Sequence, residues 1–171
     1  MAGMEDFRGY PFARPRVDEC GRFLGERSYW KLYSIENYLR VIVHSVLSAQ
    51  IAPAWWDDVV DPTTKKRIVA LKKDYLKKPM HTSPGSHDIY YLYLSDLTKI
   101  LTATRHLVGV VIKDIDSWVV KLESVRIPRN LVGHMNFPNA ADRDRIDTLY
   151  IELGELMKRL ENTPELTIKI P

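Results

Sequence analysis

Arg129, Asn130 and His134 place a permanent cation, an amide and an imidazole within six positions, just after Pro128. An arginine side chain offers a planar fork that grips a phosphate through two N–H groups, and histidine, with a reference pKa of ~6.5, exchanges a proton near neutral pH. Together they suit cleavage of RNA, which carries its own nucleophile in the 2′-hydroxyl. Without a metal, that reaction needs a base for the hydroxyl, an acid for the leaving oxygen and a cation for the charged phosphorane. On an ideal helix five residues turn through ~500°, so Arg129 and His134 would lie about 140° apart around the axis. Two arrangements bring them together. Arg129 can sit in an irregular first turn after Pro128 with Gly133 loosening the backbone, or a second subunit can contribute its own copy across a two-fold axis. The second arrangement also supplies two histidines, one as base and one as acid.

Other residues invite chemistry less directly. Lys65, Lys66, Arg67, Lys72 and Lys73, continued by Lys77 and Lys78, form a basic run that reads either as a solvated face or as a track for an RNA backbone. Glu36 and Arg40 stand at i, i+4, the spacing of a surface ion pair. Trp55 and Trp56 suit packing over the end of a bundle better than stacking on bases. His81 and His87 lack a third ligand at metal-binding spacing, and His44 and His106 read as structural. No glycine-rich phosphate loop, G-x-S-x-G elbow or paired Glu-x-x-His signature occurs, so neither a metal nor a cofactor is expected.

The elements that must position these residues follow from apolar spacing. Ile35, Tyr38, Leu39, Ile42, Val43, Val46 and Leu47 paint one stripe along a helix that stops before Pro53. Asp61-Pro62 opens a second helix reaching about Lys78. Residues 79–87, rich in Pro, Gly, Ser and Thr, form an exposed loop. Ile89 to Leu94 fits strand or helix, and Ser95 is a candidate cap for a helix carrying Leu97, Ile100, Leu101 and Leu107. The stripe from Asp114 to Val125 predicts a further helix that Pro128 stops, so that Arg129 begins the next element. Asn139 caps the longest stripe, Ile146 to Leu160. Leu166 to Ile170 alternates like an edge strand. Amphipathic helices with short connections and no βαβ repeat predict an all-α bundle of four to five helices. It spans residues 28–162, between a peripheral N-terminal arm, 1–27, and a short extended C-terminal tail, 163–171.

Composition sets the outer limits. A chain of 171 residues with 45% hydrophobic content can build one ordinary core, and a net charge of +3 permits a polyanionic partner without demanding one. The single cysteine, Cys20, excludes an intramolecular disulfide. Residues 1–27 carry charges throughout, and no run approaches the ~18 apolar residues that span a bilayer. No membrane contact and a cytoplasmic location are expected.

With 13 Arg and 5 His in the chain, random placement yields roughly 0.4 matches to R-x4-H. The surrounding residues are therefore what single the motif out. The segment Leu122 to His134, LESVRIPRNLVGH, closely resembles the signature of the HEPN superfamily of small helical ribonucleases: R-x4-6-H with a polar residue after the Arg, here Asn130. Ile35 to Arg40, IENYLR, looks like the opening helix of such domains, and the order of helices is similar from about Ser28 to Leu160.

The resemblance implies a homodimer whose shared cleft holds the Arg/His motif and cleaves RNA without a metal, with Arg129, Asn130 and His134 as the working residues and Glu36 as an acid that orients Arg129. It also implies the settings of such domains: toxins, phage-defence effectors or RNA-processing modules, with an antitoxin or sensor as a further partner. Members that have lost activity supply an alternative, a module that binds RNA or a protein without turnover. A helical adaptor with no nucleic-acid role is a third reading. One departure stands out. Toxins of this family silenced by a nucleotidyltransferase antitoxin often carry a tyrosine two positions after the motif histidine, where this chain has Asn136, so that mode of regulation does not carry over.

Overall fold

Ile35, Leu39, Ile42, Val43, Val46 and Leu47 are almost wholly buried along one side of α2 (Trp30–Gln50), as their three- and four-residue spacing requires. The structure, a computed structural model, describes residues 4–52, 54–164 and 166–171, so the expected helix stop at Pro53 lies outside the described residues. Helix α2 packs against α5 (Leu94–Ala103) and α8 (Ala140–Glu161), and α7 (Ile115–Gly133) packs against the same two. These four helices close a ring around one core. The shorter α1 (Arg14–Leu24), α3 (Trp55–Val59), α4 (Pro62–Leu76) and α6 (Arg105–Val108) surround it, and every element among the described residues is helical. Among the described residues no helix is long and apolar enough to cross a membrane.

The caps explain several boundaries. The Asp61 carboxylate accepts the Thr64 N–H at 2.9 Å with Pro62 in the first turn of α4, and Asn139 does the same for Asp142 at the start of α8. Each satisfies a backbone donor that the helix leaves without a partner. At α5 the expectation is corrected. Tyr93, not Ser95, is the cap residue, because the Asp96 carboxylate reaches back to the Tyr93 N–H at 2.9 Å while also taking the Arg67 guanidinium at 2.5 Å. The ambiguous stretch before it is neither strand nor α-helix but a single 3-10 turn, Asp88–Tyr91.

Three further corrections concern the ends and the proline. The arm is largely helical: α1 runs through a π-helical stretch, Gly25–Tyr29, directly into α2. Among its described residues Cys20 is the one buried side chain. Phe23 stacks on Phe137 at 5.7 Å, and the Arg143 guanidinium covers both rings. The tail has no strand to pair with. Its Lys169 N–H donates to the Ser45 hydroxyl at 2.8 Å, the Tyr90 hydroxyl donates to the Pro171 carbonyl, and Leu166 is buried.

The third correction is that Pro128 does not stop α7 but sits inside it. A proline within a helix costs about 3 kcal/mol through its lost N–H and its clash with the preceding turn. Leu122, Val125, Pro128 and Val132 are all buried at three- and four-residue steps, and each buried aliphatic side chain returns roughly 1.5–3 kcal/mol. Burial carries the helix through the proline.

Candidate functional site

Because α7 continues, Arg129 lies near its C-terminal end instead of at a new N-terminus. His134 is the residue that leaves the helix, with φ −92° and ψ 19°. The chain then turns through Met135, whose φ of 59° is left-handed. The Met135 N–H donates to the Val132 carbonyl and the Asn136 N–H to the Leu131 carbonyl, both at 2.9 Å. This paired closure is a Schellman cap, which usually places glycine at the left-handed position. Gly133 is one of the helical residues and does not loosen the backbone, and the His134 N–H still donates to the Asn130 carbonyl at 3.0 Å as it would within a helix.

Arg129 is held from the other side of the bundle. Its Nε donates to Glu36 Oε1 at 2.5 Å, and Glu36 Oε2 accepts from Arg40 Nη2 at 3.0 Å. One carboxylate therefore sits between two guanidiniums and leaves the trio with a net single positive charge. Glu36 and Arg40 are only 13% and 12% exposed, so the i, i+4 pair that reads as a surface contact is nearly buried, and partial desolvation strengthens it. Arg40 is fixed further by the Asn37 side chain and the Leu92 carbonyl. Among the described residues Arg129 Nη2 has no partner, and Nη1 donates only to the Asn130 side-chain oxygen Oδ1, at 3.4 Å.

Glu36, Arg40, Arg129 and His134 line one cavity of about 510 Å³, bounded also by Tyr29 at the end of the π-helical stretch, by Tyr33 and Asn37 on α2 and by Pro84 and Tyr90 from across the bundle. The loop that brings Pro84 there passes so close over the Tyr90 ring that a Cβ on Gly85 would lie 2.5 Å from it. Only glycine fits. Asn130 is exposed and not among the lining residues, touching the site only through Arg129.

The basic residues of α4 lie outside this cavity. Lys65 pairs with Asp57, Arg67 with Asp96 and Lys72 with Asp88, so three of the five tie α4 to the rest of the chain. Lys66 and Lys73 are exposed and have no ion pair among the described residues. The sequence reading missed Arg40 as a member of the site, along with the two tyrosines. The signal was present: positions 29, 33, 37 and 36, 40 share one face of a helix at four-residue steps.

A second cluster joins α2 to the 79–87 loop. His44 and His87 meet edge to face at 4.9 Å beside Trp55 and Trp56, and Trp55 is fully buried within the core. Trp55 Nε1 donates to His44 Nδ1 at 3.3 Å, and the Ile89 N–H donates to His87 Nδ1 at 3.1 Å. Both imidazoles have pKa values below the ordinary histidine value, first because burial disfavours the charged form. His44 also faces His87 and Lys169; His87 faces Lys72, opposed by the Asp88 carboxylate. Among the described residues no three His, Cys, Asp or Glu side chains gather as a metal site.

The chain matches no protein-family model, no curated protein and no solved structure.

Proposed function

We propose that this chain is an endoribonuclease of the HEPN type that cleaves RNA by metal-independent transesterification. The observation that carries the reading is the meeting of Arg129 and His134 at one cavity, with Glu36 holding Arg129 in place. In the reaction a base takes the proton of the 2′-hydroxyl, the 2′-oxygen attacks phosphorus, and the bond to the 5′-oxygen breaks. The products are a 2′,3′-cyclic phosphate and a 5′-hydroxyl end that receives a proton from an acid. His134 performs proton transfer, and Arg129, whose Nη2 has no partner among the described residues, stabilises charge on the phosphorane oxygens. Asn130 orients the phosphate or the imidazole. A homodimer brings a second His134, so that base and acid are separate imidazoles. Lys66 and Lys73 are the exposed cations of α4 best able to follow an RNA backbone. A phage-defence, toxin or RNA-processing setting, an antitoxin or sensor partner and a cytoplasmic location belong to the same proposal.

The test is cleavage of a labelled, structured RNA in EDTA by the wild type beside Arg129→Ala and His134→Ala, purified identically. Cleavage lost in both variants is the expected outcome. A folded wild type that binds RNA without cleaving it assigns the chain to the alternative, a non-catalytic binding module. Equal cleavage by all three proteins identifies a contaminant.

A further inference from the structure

The nine tyrosines of the chain divide into two groups. Tyr10, Tyr38, Tyr75, Tyr90, Tyr91, Tyr93 and Tyr150 each engage an aromatic ring, a cation or a hydrogen-bond acceptor within the chain. Tyr29 and Tyr33 engage none of these among the described residues. They are 52% and 68% exposed, and both line the Arg129 cavity. A large amphipathic ring left in water without a partner forgoes the burial and the hydroxyl bond that tyrosines ordinarily find. Two such rings at the mouth of one charged cavity are an aromatic surface waiting for a ligand.

Their spacing suggests its shape. Tyr29 ends the π-helical stretch and Tyr33 follows four residues on, which places side chains on successive turns about 6 Å apart. The same face continues inward to Glu36 and Arg40 and so reaches the guanidinium of Arg129. Flat π-faces at the rim and guanidiniums at the floor fit a ligand that joins a flat heterocycle to an anionic phosphate, which is a nucleotide. We infer that Tyr29 and Tyr33 form a base-stacking subsite that selects RNA in which the base beside the cleaved phosphate is unpaired. A base inside a duplex has both faces covered by its neighbours and has none to offer, whereas loops, bulges and single strands present theirs. The inference rests on the ribonuclease reading and adds to it the residues that choose the substrate.

The experiment is fluorescence anisotropy with a short, labelled, non-self-complementary RNA made uncleavable by 2′-O-methylation, titrated with wild type, Tyr29→Ala, Tyr33→Ala and Tyr33→Phe. Steady-state cleavage of the unmodified RNA is followed in parallel. Each Ala variant is expected to weaken binding by roughly five-fold or more, the loss of one base stack, and to raise KM more than it lowers kcat. Tyr33→Phe keeps its stacking face and should bind like wild type, and a duplex of the same sequence should compete poorly. Wild-type affinity in both Ala variants, with cleavage still dependent on Arg129 and His134, overturns this inference and leaves the ribonuclease reading standing. Absence of RNA binding by the folded wild type overturns both. Loss of a dimer in the Ala variants with unchanged RNA affinity also overturns it, because the rings then serve a protein interface.

Discussion

The Arg129 cavity and the His44/His87 cluster both bring histidine to the α2 side of the bundle, yet they are built in opposite ways. At the cavity, His134 is exposed where a helix ends and lines the same space as two guanidiniums bridged by a carboxylate. In the cluster, two imidazoles lie among tryptophans, and each Nδ1 is already accepting a hydrogen bond from the chain. A nitrogen that accepts such a bond carries no proton, so the folded chain favours the neutral form of both imidazoles. The contrast separates histidine as reagent from histidine as structure by what its nitrogens are bonded to. Residue type alone does not make that distinction.

The sharpest way to break this comparison is to exchange the consequences of losing each site. His134→Ala should lower RNA cleavage by roughly 10²–10⁴-fold, with unfolding free energy changed by no more than about 0.5 kcal/mol. Trp55→Ala should cost about 3–5 kcal/mol in denaturant unfolding while the folded fraction cleaves normally. If Trp55→Ala abolishes turnover in protein shown to be folded, the two regions are one functional unit.

A smaller effect is expected at Glu36. Glu36→Ala leaves two partly buried guanidiniums facing each other, and should cost about 2 kcal/mol in stability, below the ~3–5 kcal/mol of a fully buried pair because Arg129 is 28% exposed. Glu36→Gln retains an acceptor for Arg129, so it should lose less stability; circular dichroism melts of the two variants order them.

The pH dependence sharpens the comparison next. His44 and His87 are held below their unfolded pKa, so the unfolded state binds protons first. Their contribution to stability is present above about pH 6.5 and is lost as the pH falls below that value. His87→Phe keeps the ring and removes its proton site, and should flatten the decline in urea midpoint between pH 7 and 5. An unchanged slope means the cluster does not titrate as described.

The smallest change is Met135→Gly. It relieves a left-handed φ and should stabilise by roughly 0.5–1 kcal/mol, measured as a rise in Tm.

How much of this was legible in the sequence can be seen element by element. Asp61-Pro62 and Asn139 announced their helices because a cap acts locally, through one side chain and a backbone N–H three positions on. The stripes of α2 and α8 were legible because a bundle buries what periodicity marks. Pro128 misled because its cost is local and visible, whereas the burial of Val125 and Val132 that outweighs it depends on α5 and α8. In α1, Val17, Cys20 and Leu24 held helical spacing, but Gly21, Gly25 and the surrounding charges obscured it. At the site, the i, i+4 spacing of Glu36 and Arg40 was readable, while the separation of 93 positions from Glu36 to Arg129 could be bridged only by the fold.

The π-helical stretch at Gly25–Tyr29 also has a rotational meaning. Its i→i+5 bonding fits one more residue into a turn than an α-helix holds, so everything before it is swung by about 100° relative to an unbroken rod. That offset lets α1 turn Phe23 toward Phe137 and Arg143 while Tyr29, at the end of the stretch, and Tyr33 on α2 line the Arg129 cavity. The extra residue works as a phase shifter between two faces of one long helical shaft, and deleting Gly25 would point α1 elsewhere while leaving the residues that line the cavity in the sequence.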